Sequence, residues 1–325
     1  MELGGRAIKK NYLLLVMGAS LAACSSYVEN KAEYKIAYNV LYDGQNDNYE
    51  IFVMNADGSE QKNISNYGGV DWVYHSHGDR LYFISDRDST SRKYFLYEMK
   101  WDGSEVRRVT DYLVHDSYMS SRNNGTELLI NKYIEQDSTR RDLFIIDLQG
   151  TILSRVTDDE YINTDGYFSP DGEQIVFRSY RDEIDELFIV NADGTGLRQL
   201  THYPKDDSTA MDWEYHAGPP QWVNSTIISF LSKRNGNYSI YTISPEGENL
   251  TQLTPDKTPE GYPSNQGWHS WSRDGKRIVY NASEWDGNFN IYIMDADGSN
   301  PTRLTDDKKY QQAPVFVYPI KESSK

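Results

Sequence analysis

Residues 167–201 read YFSPDGEQIVFRSYRDEIDELFIVNADGTGLRQLT, and their pattern decides the fold. Tyr167, Phe168 and Ser169 predict a short first strand, and Pro170-Asp171-Gly172 a tight turn, since Pro fixes φ and Gly accepts a positive φ. Gln174 to Ser179 predict a second strand, with Ile175 and Phe177 on one side as period-two alternation requires. After a charged loop, Leu187 to Asn191 predict a third strand, Ala192-Asp193-Gly194-Thr195 a second turn, and Leu197 to Thr201 an edge strand. A single antiparallel sheet of this size buries one face poorly, so it needs neighbours.

The neighbours are copies of the same pattern. Ser270 to Thr305 matches nearly element for element, and Trp222 to Thr254 does so with Pro245-Glu246-Gly247 in the second turn. Weaker copies run over Lys35 to Ser65, Val73 to Thr110 and Met119 to Thr157. The second-turn glycines Gly58, Gly103, Gly150, Gly194, Gly247 and Gly298 are spaced by 45, 47, 44, 53 and 51 residues. That is the period of a propeller blade, and six markers predict an all-β, six-bladed β-propeller of four-stranded antiparallel blades. The copy at Lys35 lacks a first strand, while Gln312 to Tyr318 has the form of a first strand with nothing after it. Pairing the two predicts one composite blade that closes the ring and leaves no open sheet edge.

The start of the chain reads as a targeting segment. Arg6, Lys9 and Lys10 make it positive, and Tyr12 to Ala19 form an apolar core too short to span a bilayer as a helix. Leu21-Ala22-Ala23-Cys24-Ser25-Ser26 follows, with small residues ahead of the one cysteine in the chain. This resembles a bacterial lipoprotein signal whose Cys24 receives the lipid, and Ser25 after it implies the outer membrane. The expected segments are a lipoprotein signal over 1–23, a polar tether over 24–33, the propeller over 34–320 and a tail over 321–325. The full chain carries 33 basic against 49 acidic side chains, a net charge of −16. That balance argues against nucleic acid or an anionic membrane surface as partner and suits a monomeric body in the cell envelope. One cysteine allows no internal disulfide, so stability must come from sheet interfaces, which the 13% aromatic content can supply.

The repeat of PDG, an I-x-F strand, a charged loop, an ADG turn and a closing R-L-T resembles the TolB-like (PD40-type) propeller repeat. The residues carrying it are Ser169-Pro170-Asp171-Gly172, Asn191-Ala192-Asp193-Gly194, Arg273-Asp274-Gly275, Asp295-Ala296-Asp297-Gly298 and Arg303-Leu304-Thr305. The resemblance covers essentially the whole mature chain. It implies the fold more than the function, because the repeat occurs in Tol-system periplasmic proteins, peptidase propellers and sugar lyases. The Tol protein carries a further domain before its propeller, for which this sequence has no room, so membership of the Tol complex is not expected.

In such a blade the loops between blades and those joining second to third strands share one face, and the two glycine turns lie on the other. The first face collects Asp43 to Asn48, Asp86-Arg87-Asp88, Arg178 to Asp185, Trp285-Asp286 and two long segments, His202 to Pro220 and Pro255 to His269. Long insertions on a rigid ring are the usual carriers of binding. The candidate binding residues are Arg178, Arg181, Trp213, His216, Tyr262, Gln266, Trp268, His269 and Trp285. The rings suit a protein hot spot or sugar stacking, and the arginines suit a carboxylate. Oligogalacturonate lyases also have TolB-like propellers and are understood to bind a divalent metal through histidine and glutamine near the channel. That resemblance implies a divalent metal, Mn or Ca, at His216, Gln266 and His269, and as the alternative function a metal-assisted lyase acting on acidic sugars; a glycoside hydrolase is the other alternative, because a propeller interior can bring acids from different blades together. Asp71, Asp116 and Asp165 each precede a first strand near the channel mouth and read as solvated caps and turn formers. His75 and His77 occupy the first turn of the second copy and belong to the opposite face. No Gly-x-Ser-x-Gly elbow supports nucleophilic catalysis. The function expected is a lipid-anchored envelope propeller that binds a protein partner or an oligosaccharide.

Overall fold

The computed structural model describes Met1 and residues 34–134, 137–181, 184–204, 214–234, 236–255, 265–283 and 287–320. The chain divides into Met1–Lys31 and Ala32–Lys325, and only the second unit is described below. Cys24, Trp213, Tyr262 and Trp285 lie outside the described residues. No described helix is long and apolar enough to cross a membrane.

Each repeat folds into strands joined by short antiparallel turns. The first repeat supplies β1 (Lys35–Asp43), β2 (Asn48–Asn55) and β3 (Lys62–Asn63), and the second β4 (Asp71–His77), β5 (Arg80–Ser85), β6 (Phe95–Lys100) and β7 (Arg107–Arg108). The third gives β8 (Ser120–Arg122), β9 (Glu127–Ile134), β10 (Asp137–Asp147) and β11 (Ile152–Arg155); the fourth gives β12 (Ile162–Phe168), β13 (Gln174–Arg181), β14 (Ile184–Asn191) and β15 (Arg198–Gln199). The fifth comprises β16 (Pro220–Asn224), β17 (Ile227–Ser232), β18 (Ser239–Ile243) and β19 (Thr251–Gln252), and the sixth β20 (Asn265–Trp271), β21 (Arg277–Ser283), β22 (Phe289–Asp295) and β23 (Thr302–Arg303). The last strand is β24 (Tyr310–Val317).

These strands make a β-propeller arrangement of four four-stranded sheets and one eight-stranded sheet. The six separate sheets expected from the repeat are therefore not all separate: β8 to β15 form one sheet, because β10 and β12 run parallel and meet at Arg141 and Ile162. The composite sheet does form. β24 pairs antiparallel with β1, Phe316 opposite Ile36 and Val315 opposite Ala37, in the order β24-β1-β2-β3.

Two recurring contacts explain the repeat's spelling. The fourth strand of most repeats is only two residues long, so the third strand has a buried N–H beyond the end of the ladder, and a hydroxyl meets it. Ser65, Thr110, Thr157, Thr201, Thr254 and Thr305 accept from the N–H groups of Ile51, Leu96, Leu143, Leu187, Ile240 and Ile291. A buried donor left alone is costly, which is why the closing residue is Thr or Ser. The second contact concerns the ADG glycine. At Gly58, φ is +84° and an added Cβ would lie 2.4 Å from the Leu304 carbonyl oxygen, so only Gly admits this approach. Gly58 belongs to the first repeat and Leu304 to the sixth, so the same contact closes the circuit.

Apolar alternation does the rest. Six buried clusters join consecutive repeats: one packs Ala37, Ile51 and Val53 against Val73, Leu81 and Phe83, and another packs Val279, Ile291 and Ile293 of the sixth repeat against Ile36, Tyr38 and Phe316. Each sheet covers a face of the next, and the circuit returns to its start.

The inner strands depart from regular alternation where it matters for function. β12 begins at Ile162, earlier than the sequence predicts, because Asp165 adopts φ 56° and the register slips between Thr164 and Tyr167. Ala313 in β24 does the same at φ 48°, beside a slip between Ala37 and Asn39. Such bulges break the period-two signal and re-aim side chains. They lie at one end of the channel that the inner strands surround.

Candidate functional site

The bulged ends of the inner strands bring together a polar cluster under an aromatic wall. Asp165 is the hub. One of its oxygens accepts from Ser117 Oγ at 2.9 Å and from the Tyr118 N–H at 3.0 Å, and the other takes Arg178 Nε at 2.8 Å. Arg178 Nη1 reaches Asp185 at 3.1 Å, and the guanidinium lies 4.8 Å from the centre of the Tyr215 ring. Burial opposes its charge, but Asp165 and Asp185 outweigh burial and hold the Arg178 pKa above its ordinary value. Burial raises the Asp185 pKa, against the pull of Arg178.

Asp116 completes the group. It accepts the Tyr74 hydroxyl, and burial pushes its carboxyl up to about 6 even though that hydrogen bond pulls the other way. The Tyr74 ring lies 5.1 Å from Tyr118, Trp72 lies beside Tyr74, and Tyr49 meets Trp72 edge-on at 4.9 Å. The Tyr118 hydroxyl is buried with no partner among the described residues. Trp268 is half-buried against this wall, and its indole N–H bonds the Tyr215 oxygen. Arg92 stacks 4.8 Å from Trp72 while both its Nε and an Nη hold Asp47. Two carboxylates, Asp165 and Asp185, thus share the guanidinium of Arg178, with Asp116 nearby on the Tyr74 hydroxyl, beside ring faces and phenolic hydroxyls. The arrangement can accept hydrogen bonds, donate from Tyr118, and bind positive charge.

This corrects the expectation of solvated caps. Asp71 is 0% and Asp165 4% exposed, and both are bonded within the fold. Asp71 pairs with Arg87 at 2.6 Å, and burial raises its carboxyl to about 6. The bulge at Asp165 turns its carboxylate inward, and Asp71 is drawn in by Arg87, neither of which local propensity reveals.

Of the other predicted residues, His216 lies near enough to Asp185 to act on its charge, while Arg181, Gln266 and His269 have separate surroundings. Arg181 is tied to Asp159 at 2.7 Å and Ser179 at 2.8 Å and stacks on Tyr161 and Phe188. Gln266 and His269 lie in β20 rather than in a loop. His269 Nε2 meets Ser229 Oγ at 2.8 Å, and burial lowers its pKa to about 3. Gln266 donates to the Pro255 carbonyl at 3.0 Å, leaving Oε1 buried without a partner. His216 packs edge-on against Tyr203 at 4.7 Å, with Nδ1 buried and unpartnered among the described residues. All three are nearly inaccessible, and among the described residues no group of three His, Cys, Asp or Glu side chains is placed to hold a metal ion. The fold brings Arg178 and Trp268 into one cluster. Asp185 lies in the charged stretch already placed on this face; sequence reasoning missed Tyr74, Tyr118 and Tyr215, whose spacing carries no signal because they come from different repeats.

Comparison with protein-family models finds no match. Dipeptidyl-peptidase 5 of Porphyromonas endodontalis is 30% identical over 121 residues, which are 35% of this chain and only 15% of that protein. Among solved structures, TolB from Acinetobacter baumannii superposes with a TM-score of 0.68 at 16% identity, covering 88% of this chain and 67% of that one. A putative TolB from Agrobacterium tumefaciens gives 0.60 at 14% identity, covering 88% of this chain and 98% of that one. At these identities the likeness is one of fold: the chain has the β-propeller fold of the TolB proteins.

Proposed function

We propose that this chain is a cell-envelope binding module whose channel mouth, ringed by Asp116, Asp165, Asp185, Tyr74, Tyr118 and Trp268, takes a positively charged segment of a protein partner. The supporting observation is the charge count at the mouth: three carboxylates, with the charge of Arg178 already shared between two of them. An acidic sugar would meet net repulsion there, whereas a Lys or Arg side chain finds carboxylate oxygens and ring faces together. In this reading the ring has six blades, the eight-stranded sheet counting as two, and lipid at Cys24 holds the body at the envelope, with the outer membrane as its site. Calorimetric titration of the soluble chain with an oligolysine peptide tests the binding. Saturable binding that weakens with added salt and falls about tenfold in Asp116→Asn supports it, and absence of saturable binding refutes it. Labelled-fatty-acid incorporation into wild type but not Cys24→Ala tests the anchor.

One observation favours a second reading, hydrolysis of a glycoside. Asp116 has its carboxyl raised to about 6 while neighbouring Asp165 pairs with Arg178, and two carboxyls in unlike environments are the pattern of an acid and its partner. Incubation with neutral and uronate oligosaccharides, with and without chelator, separates this reading from pure binding. Cleavage lost in Asp116→Asn would establish the hydrolase, and unsaturated product lost with chelator would establish the metal-assisted lyase.

A further inference from the structure

Beyond Tyr74, which it shares with the proposed site, a cavity runs along the inner strands to groups that the proposed function leaves unused. It has a volume of about 230 Å³, and its wall includes His75, His77, Tyr167, Gln221, Ser270 and Arg273. No Asp or Glu lines it, in a chain with 49 acidic residues. Most of its polar groups are already occupied: His75 Nε2 meets Ser121 Oγ at 2.9 Å, and Gln221 donates to the His269 carbonyl at 2.6 Å. Two of the groups left can carry positive charge. The Arg273 guanidinium lies over the Tyr318 ring at 4.2 Å and forms no ion pair among the described residues. The His77 ring is seated against Gly125, where an added Cβ would fall 2.3 Å from His77 Cδ2. Gly125 thus keeps open the space that the imidazole fills.

We infer that this cavity is a binding site for a small oxyanion-bearing ligand, a carboxylate or a phosphate, gripped by Arg273 and His77 with Tyr167 and Tyr318 as its ring walls. Guanidinium over a ring, with donors beside it and no acid in the cavity wall, is the chemistry that recognises an oxyanion. The volume is below the roughly 300–1,000 Å³ of sites for drug-sized molecules, so the ligand is no larger than about one sugar ring. The charged and titratable groups around His77 are Arg273 and His75 in this cavity, and Arg122 and Asp171 in the adjoining recess that His77 also lines. Burial and then Arg273 hold the His77 pKa below its ordinary value, and an anion between Arg273 and His77 would reverse the second influence.

The test is NMR of the His77 side chain, titrated with inorganic phosphate, galacturonate and neutral galactose. The expected result is a saturable shift with Kd of about 1 mM or tighter for phosphate, galacturonate or both, which also identifies the ligand's source, and a silent galactose titration. Arg273→Ala should weaken binding at least tenfold at unchanged Tm, with Arg273→Lys between it and wild type. No saturable shift, an equal response to galactose, or full binding in Arg273→Ala overturns the inference.

Discussion

Acidification from pH 7 to pH 5 should cost about 3 kcal/mol of stability through five buried groups, His75, His115, His269, Asp71 and Asp116, that act in opposite directions. Burial lowers His75, His115 and His269 to about 3, against about 6.5 in the unfolded chain. A group with a depressed folded pKa takes its proton first in the unfolded state, so the stability it confers above pH 6.5 is lost as pH falls toward 3. At pH 5 each histidine has lost ~2 kcal/mol, at about 1.4 kcal/mol per pH unit, or ~6 kcal/mol for the three. Asp71 and Asp116 work the other way, since burial raises both carboxyls from 3.8 to about 6. Here the folded state takes the proton first, so the contribution is full below pH 3.8 and is lost as pH rises through 6. Moving to pH 5 returns about 1.4 kcal/mol from each, ~3 kcal/mol together. The histidines win by about 3 kcal/mol, a large share of the 5–15 kcal/mol that holds a typical domain. Urea unfolding followed by tryptophan fluorescence at the two pH values measures the difference, and His115→Gln or His269→Gln should each shrink it by ~2 kcal/mol. Equal or greater stability at pH 5, or an unchanged pH response in both variants, would refute the assignment of neutral buried histidines.

Gly58→Ala should destabilise by more than Gly78→Ala. Both carry positive φ, a strain of about 1–2 kcal/mol, but only at Gly58 does the new Cβ meet a backbone carbonyl, while at Gly78 nothing lies within 4 Å; thermal melts of the two variants decide it. Thr201→Val removes the hydroxyl that accepts from the Leu187 N–H at 2.8 Å and should cost about 1–3 kcal/mol in chemical denaturation. Ending the chain at Gln312 removes Val315, Phe316 and Val317, all buried in the β24–β1 sheet. At about 1.5–3 kcal/mol each the loss rivals the whole stability, so calorimetry should show no cooperative transition at the parent temperature.

Strands, turns and the repeat were legible because they are local. Alternation in Ile175 and Phe177 states which side faces a neighbour, Asp193-Gly194 states where the chain reverses, and the recurring final Thr marks an N–H that its own sheet cannot pair. Even closure was readable, since a repeat without a first strand and a first strand without a repeat imply each other. The fusion of β8–β15 into one sheet was not, because it depends on a single parallel meeting of Arg141 with Ile162. The candidate site shows the same division. Arg178 and Trp268 were singled out for their chemistry, yet their partners Asp165, Asp185 and Tyr215 were chosen by the fold. His216, Gln266 and His269 were singled out as a metal set by resemblance to the oligogalacturonate lyases; that adjacent repeats bury all three is something their spacing could not show.

By itself, then, the amino-acid order determined a ring of repeated antiparallel units, since hydrogen-bonding pattern, turn chemistry and apolar period act over a few residues. Only the tertiary structure decided which carboxylates turn inward, as at the bulge of Asp165, and which rings they meet, because side chains far apart in the chain acquire their surroundings, and with them their charge and reach, when neighbouring sheets pack.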